Sequence, residues 1–379
     1  MFAMSSSIIS RRLFTHRLAS LALTGSVLHA APLEREIRAN DEHASPTIWL
    51  DANEYPDGPP PSAVAAIVRS AAATGRYHFD EFGAFNEAIA RSEQMRPDQI
   101  LFGVGSGEII DAAICAFTSH SRPMITAIPT YDVATDFAQS LGRKVVQLPM
   151  TEQWTFPVRE LAEQAYRYKG GLIYICNPNN PTSSLTPQND IDWLASNLPP
   201  NTTLLVDEAY IHFVEPTNVE SAIKHVRHGR NVVVTRTFSK IYGMAGARVG
   251  FGCAKPDLVL AMQPFRDNVV PILGLRAATA ALADRTTLIL DRRANIARIR
   301  HDFCDWLEQK HIAYIKPQAN FVLIDIERDV KTFSYEMFRR GVAVGRPFPS
   351  FDHMLRVTFG TDREMAKFRQ VFEQVIAGE

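Results

Sequence analysis

Short apolar segments alternate with helical patterns along the chain, and several of these segments end in a cluster of polar residues. The segments that we interpret as strands are 99–104, 123–128, 144–148, 171–176, 203–206 and 232–234. Strands that alternate with helices predict an α/β domain with a largely parallel sheet. Because ligands in such sheets bind beyond the carboxyl ends of the strands, we expect the polar clusters to form a site there.

The richest polar cluster follows the strand at 232–234. It combines two hydroxyl groups, a lysine, an arginine and three glycines, namely Thr237, Ser239, Lys240, Gly243, Gly246, Arg248 and Gly250. A lysine amine forms a Schiff base with an aldehyde, while hydroxyls and an arginine hold a phosphate. Glycines let the backbone approach a ligand closely. We therefore predict that Lys240 carries pyridoxal phosphate; the alternative is a solvated lysine in an ordinary loop.

Residues that suit the same cofactor follow four other strands. The turn at 105–108 opens a helix, where free N–H groups favour a phosphate, and it matches neither a dinucleotide fingerprint nor a P-loop. Tyr131 offers a face for a heteroaromatic ring, and Asn180 offers an amide in an Asn-Pro turn. Asp207 would pair with a pyridinium nitrogen, and Tyr210 lies three residues on. Each has an ordinary structural explanation alone, but their order along the chain favours the cofactor.

From about Ile48 to the C-terminus, these motifs resemble the class I/II, fold-type I pyridoxal-phosphate aminotransferases, closest to the histidinol-phosphate aminotransferase group. The resemblance implies a large domain with a mostly parallel, seven-stranded sheet between helices, plus a smaller α+β C-terminal domain. It also implies transfer of an amino group between an amino acid and a 2-oxo acid, by a ping-pong mechanism through a Lys240 aldimine. A lyase or decarboxylase on the same scaffold is the alternative.

The resemblance further implies roles for individual residues. It assigns catalysis to Lys240, Asp207 and Tyr210. It assigns cofactor binding to these three and to Ser106, Gly107, Glu108, Tyr131, Asn180, Thr237, Ser239, Arg248 and Tyr77. Tyr77 matches a tyrosine that reaches the phosphate of a neighbouring subunit, which implies a homodimer. Substrate binding falls to Arg356, which matches an arginine that holds the substrate carboxylate, and to Asn53 and Asn320.

Three segments depart from the family pattern near the expected substrate entrance. Ser183 stands where the Asn-Pro-Thr-Gly motif has glycine, His78 replaces a proline, and 267–271 differs from the family's Pro-Tyr-Asn segment. These departures argue against histidinol phosphate itself and leave the amino donor and acceptor open.

Composition narrows the function only a little. The chain has 379 residues and a formal net charge of -1, so bulk charge gives no sign of a nucleic-acid partner. The four cysteines are scattered, without the spacing of a thiolate zinc site or a disulfide framework. His225 and His228 lie three residues apart, but we interpret them as a solvated helix face rather than as metal ligands. We expect no metal.

The N-terminus has the layout of an export signal. Paired arginines, Arg11 and Arg12, precede an apolar stretch at 18–28 and the small residues of Ala30-Ala31-Pro32. The pair resembles a twin-arginine signal and predicts a periplasmic protein, while the stretch is too short for a stable membrane span. A disordered leader or a first helix, in a cytoplasmic protein, is the alternative. We therefore divide the chain into a signal (1–31), an arm (32–60), a large domain (61–263) and a small domain (264–379).

Overall fold

The computed structural model describes residues 48–349 and 351–378, so the predicted signal lies outside the described residues. In chain order its strands are β1 (Ile48–Leu50), β2 (Ile100–Gly103), β3 (Met124–Ile128), β4 (Val145–Pro149), β5 (Gly171–Cys176), β6 (Thr202–Asp207), β7 (Val232–Thr237), β8 (Gly250–Ala254), β9 (Tyr314–Ile315), β10 (Phe321–Asp325), β11 (Val342–Val344) and β12 (Met354–Thr358). Seven of these strands form the central sheet, in the order β2-β8-β7-β6-β5-β3-β4.

Helices cover both faces of this sheet, and others follow it in the C-terminal part. They are α1 (Pro61–Ser70), α2 (Phe82–Ser92), α3 (Ser106–Phe117), α4 (Asp132–Ser140), α5 (Val158–Arg167), α6 (Gln188–Ser196), α7 (Ile223–Arg227), α8 (Pro256–Met262), α9 (Ile272–Ala283), α10 (Arg285–Gln309), α11 (Val330–Arg339) and α12 (Asp362–Ala377). No helix in the described ranges is long and apolar enough to span a bilayer.

The predicted α/β fold with a mostly parallel sheet is confirmed. Strands β4, β3, β5, β6 and β7 run parallel, while β8 is antiparallel to both of its neighbours. Every residue of β5, β6 and β7 is buried, which explains why each strand contains a run of consecutive apolar residues rather than an alternating pattern. Their carboxyl ends therefore lie side by side at one edge of the sheet.

A small antiparallel sheet, β12-β10-β9, forms in the C-terminal part. Strand β1, from the predicted arm, pairs in parallel with β11, so the arm joins this part of the chain. Helix α9 lies beyond residue 263 but packs against α1. The boundary at 263 stays a prediction.

One local prediction is wrong. His225 is not on a solvated face: it is buried, and its Nε2 lies 2.8 Å from Oδ1 of Asp192. The partner lies on α6, which is far away in sequence.

Candidate active site

A cavity of about 520 Å³ opens at the carboxyl ends of the central strands. It gathers most of the residues that the sequence analysis singled out, namely Asn53, Ser106, Gly107, Tyr131, Asn180, Asp207, Tyr210, Thr237, Ser239, Lys240, Arg248 and Arg356. Glu108, Tyr77 and Asn320 do not line it. The parallel order of β5, β6 and β7 brings these scattered residues together.

Lys240 follows β7 and places its amine in this cavity. Its Nζ donates a hydrogen bond of 2.9 Å to the carbonyl oxygen of Ala52. Part of the side chain faces the open cavity, yet protein atoms surround the amine densely. That burial, followed by the nearby charge of Arg356, lowers the pKa of Lys240 to about 8. About a tenth of the amine is therefore neutral, and so nucleophilic, at pH 7, where an ordinary lysine is almost fully protonated.

Asp207 ends β6 as a buried carboxylate with three neutral donors. Its Oδ1 accepts from Thr235 Oγ1 at 3.1 Å and from the Ala209 N–H at 3.2 Å, and its Oδ2 accepts from Tyr174 OH at 3.3 Å. Burial outweighs these donors and raises the pKa of Asp207 to about 6. In the described ranges, no basic side chain pairs with it. A buried carboxylate without a cation fits the pyridinium nitrogen of pyridoxal phosphate.

Two of the groups that hold Asp207, Tyr174 and Thr235, were not identified from the sequence. Cys176 lies opposite Asp207 in the β5–β6 ladder, and Thr235 lies opposite it in the β6–β7 ladder. Since side chains alternate along a strand, Tyr174, two residues before Cys176, projects from the same face. Both Tyr174 and Thr235 sit inside apolar runs, and nothing in the sequence reveals the register that brings them to Asp207.

Two glycines shape the side of the cavity that suits a phosphate. A Cβ atom on Gly105, whose φ is +83°, would lie 2.6 Å from Nη2 of Arg248. A Cβ atom on Gly250 would lie 2.1 Å from the backbone nitrogen of Ser106. Glycine at 105 thus leaves room for Arg248, and glycine at 250 lets β8 approach the first turn of α3, where free N–H groups favour an anion. The hydroxyls of Thr237 and Ser239 line the same cavity.

Arg356, on β12, is buried and also lines the cavity. Its Nη1 donates to Oδ1 of Asn180 at 2.7 Å and its Nη2 donates to the carbonyl oxygen of Asp51, while its Nε has no hydrogen-bond partner among the residues that the structure describes. Asn53 Nδ2 donates to Tyr210 OH at 3.1 Å, and Asn320 Nδ2 in turn donates to the carbonyl oxygen of Asn53. Asn320 therefore lies behind Asn53.

The side chains of Glu108 and Tyr77 point elsewhere. Glu108 accepts hydrogen bonds from the Val104 N–H at 2.7 Å and from both the N–H and Nδ2 of Asn268 at 2.9 Å. Its carboxylate therefore ties the divergent segment 267–271 to α3, which leaves only backbone groups for a ligand. Tyr77 is 66% exposed and stacks on Phe79 at 5.3 Å between ring centroids.

The cavity also contains an ion pair that is not apparent from the sequence. Asp132 and Arg346 both line it, and Nη2 of Arg346 donates to Oδ2 of Asp132. The two residues are 214 positions apart, so no local pattern connects them.

Comparisons with known proteins agree with this arrangement. A sequence model of the family described as aminotransferase class I and II matches residues 45–372. The histidinol-phosphate aminotransferase of Moorella thermoacetica is 30% identical over 349 residues, covering 91% of this chain and 88% of that protein. The one from Symbiobacterium thermophilum is 32% identical over 352 residues, covering 91% and 93%.

A solved structure extends this likeness to the fold. Histidinol-phosphate aminotransferase from Sinorhizobium meliloti, in complex with pyridoxal-5'-phosphate, superimposes with a TM-score of 0.84 at 25% identity. The match covers 99% of this chain and 100% of that one.

The stability of the apoprotein tests the environment of Asp207. Its folded-state pKa of about 6 exceeds the ordinary 3.8, so the folded chain binds the extra proton between those pH values and stability falls as pH rises through them. The loss is on the order of 3 kcal/mol. Asp207→Asn should remove this pH dependence, measured by chemical denaturation between pH 4 and pH 7, roughly the window of the shift. The surface variant Asp98→Asn serves as the control; curves for Asp207→Asn and wild type that run parallel would contradict the prediction.

Proposed function

We propose that this chain, which belongs to the class I and II aminotransferases, moves an amino group between an amino acid and a 2-oxo acid with Lys240 as its catalytic amine. The observation that carries the proposal is the meeting of Lys240, Asp207 and Arg356 in one cavity at the strand ends. These three side chains supply an amine of lowered pKa, a buried carboxylate and a fixed cation.

Residues that line the cavity would hold the cofactor. Pyridoxal phosphate supplies an aldehyde that condenses with amines and a ring that accepts electrons when the bond from Cα to hydrogen breaks. Arg248, Ser239, Thr237 and the first turn of α3 would hold the phosphate. Asp207 would keep a proton on the ring nitrogen, and Tyr131 would cover one ring face. Tyr210 and Asn180 would donate hydrogen bonds to the ring oxygen.

Lys240 then acts as the proton carrier. Because burial lowers the pKa of its amine to about 8, Nζ would be able to take a proton from the substrate Cα near neutral pH and deliver it to the carbon that carried the cofactor aldehyde. Asn53 holds Tyr210 in place, and Asn320 holds the backbone of Asn53. The catalytic groups are thus oriented before the substrate arrives.

Arg356 is the proposed ligand of the substrate carboxylate. Its guanidinium is fixed by Asn180 and by the backbone of Asp51, which leaves Nε unsatisfied. A buried donor without a partner is unfavourable, and a carboxylate in the cavity would relieve it.

A homodimer would complete the site. The support is Tyr77, which the family resemblance places at a neighbouring subunit's phosphate and which is largely exposed in this chain beside Phe79, itself 59% exposed. Export is a separate proposal that rests on the paired arginines 11 and 12, the apolar stretch at 18–28 and the small residues that follow it.

A half-reaction screen tests the proposed function. Purified holoenzyme is mixed with one amino acid at a time, with histidinol phosphate as a further arm, and without any 2-oxo acid. A good donor should discharge the visible absorbance of the lysine-bound cofactor and yield pyridoxamine phosphate and a 2-oxo acid in equal amounts. Release of carbon dioxide or ammonia instead would identify a lyase.

A lysine variant provides the control for that screen. Lys240→Ala should lose the visible absorbance band and at least ~10²–10⁴-fold of the rate, since the proton carrier is gone. Lys255→Ala, which removes a lysine outside the cavity, should behave as wild type. Turnover that survives Lys240→Ala with cofactor bound would refute the role of Lys240.

Subunit complementation tests the dimer. Lys240→Ala and Tyr77→Ala chains are each expected to be impaired alone. In a mixed dimer, one site would combine Lys240 of one chain with Tyr77 of the other, so activity should return when the two variants are unfolded and refolded together. An absence of recovery in verified mixed dimers would contradict a shared site.

Cell fractionation tests the export proposal. The native full-length chain should appear in the periplasmic fraction, and replacing both Arg11 and Arg12 by lysine should retain it in the cytoplasm. A wild-type chain found only in the cytoplasm would refute export.

A further inference from the structure

The cavity contains two arginines in different states. Arg356 is 8% exposed, and within the described part of the chain its hydrogen bonds go to an amide oxygen and a backbone carbonyl rather than to a carboxylate. Arg346 lies nearer the mouth with a side chain that is 42% exposed, and it is paired with Asp132. A substrate would therefore contact the unneutralised Arg356 inside the cavity and, at the mouth, Arg346, whose charge is neutralised by Asp132.

The ring of Phe348 holds the two arginines apart. The guanidinium of Arg346 lies 4.5 Å from its centroid, and that of Arg356 lies 5.1 Å from it. The backbone of Phe348 forms an isolated antiparallel β-bridge with that of Phe351. The ring of Phe351 packs against Trp154, with 5.5 Å between the ring centroids. Contacts with neighbouring aromatic rings thus anchor the segment that bears Arg346.

We propose that Asp132 is a specificity-determining residue whose carboxylate competes with a distal anionic group of the substrate for Arg346. The proposal rests on the proposed function, in which Arg356 takes the carboxylate next to the reacting Cα. With Asp132 in place, the two mouth charges cancel. The wild-type site therefore favours amino acids with uncharged or cationic side chains over those with a second carboxylate or a phosphate.

The expected strengths of the charge interactions support competition between Asp132 and a substrate anion for Arg346. A half-exposed ion pair contributes little to folding stability, so the pair can exchange partners readily. Its carboxylate nevertheless remains at the mouth and repels a second anion over a distance of a few ångströms. Asp132→Asn removes the negative charge and keeps the shape of the side chain, which leaves Arg346 free to bind the distal anionic group of a substrate.

Asp132 also has a structural role at the start of a helix, which must be distinguished from its proposed effect on substrate specificity. It is the first residue of α4, where a carboxylate stabilises the helix dipole. That role predicts a small change in folding stability and no change in ligand selectivity. Asp257 is a matched control, because it lies in the first turn of α8 and pairs with Lys255 at 2.9 Å but does not line the cavity.

Equilibrium binding to the holoenzyme tests the proposal without requiring turnover. The probes are glutarate, which carries two carboxylates, and its monoamide, which has the same shape and one carboxylate. Calorimetry gives the ratio of their affinities in wild type, Asp132→Asn and Asp257→Asn. The half-reaction rates with glutamate and glutamine, which form the same kind of pair, give a kinetic counterpart.

The expected result is a rise of about tenfold or more in the glutarate-to-monoamide affinity ratio for Asp132→Asn, with the Asp257→Asn ratio as in wild type. The double variant Asp132→Asn/Arg346→Gln should lose that rise. Arg346→Gln alone should lower the ratio below wild type, because Asp132 is then unopposed, and this variant decides the matter if Asp132→Asn does not fold.

An unchanged or lower ratio in folded Asp132→Asn, or an unchanged ratio in Arg346→Gln, would overturn the proposal. Failure of the proposed function is a different outcome. In that case no amino acid discharges the wild-type cofactor in the half-reaction screen, whereas the binding ratios can still be measured.

Discussion

A buried carboxylate without a cationic partner is the constraint on which the site depends. Asp207 and Glu208 are neighbours at the end of β6, yet they point to opposite faces of the sheet. Glu208 is paired with Arg236 at 2.9 Å, and Arg236 also reaches Glu93 at 2.8 Å. In the described ranges, only neutral donors satisfy Asp207. Burying a charge in this way is unfavourable unless a cation arrives, and a pyridinium nitrogen is such a cation.

The parallel sheet makes that arrangement possible. Strands β5, β6 and β7 bring Tyr174, Asp207 and Thr235 onto one face, while the turn after β7 supplies Lys240. The antiparallel strand β8 then begins at Gly250, directly against the nitrogen of Ser106. Residues from widely separated segments reach one cavity because the ends of these strands are adjacent.

Much of this could be predicted from the sequence, for a physical reason. Lys240, Asp207 and Asn180 follow apolar runs whose ends must be adjacent in a parallel sheet, so position along the chain implies proximity. Tyr174 and Thr235 were missed because their role depends on register between strands. The Asp132–Arg346 pair was missed because it joins residues that only tertiary packing brings together. The buried position of His225 and its contact with Asp192 were missed for the same reason.

The central claim is that one lysine, at the end of β7, binds the cofactor in this cavity. Reduction of the holoenzyme with borohydride, followed by peptide mapping with mass spectrometry, tests it most directly. The account predicts that the pyridoxyl mass is attached to Lys240 and to no other lysine. A label on a different lysine, or a reduced enzyme that releases all of its cofactor on unfolding, would contradict it.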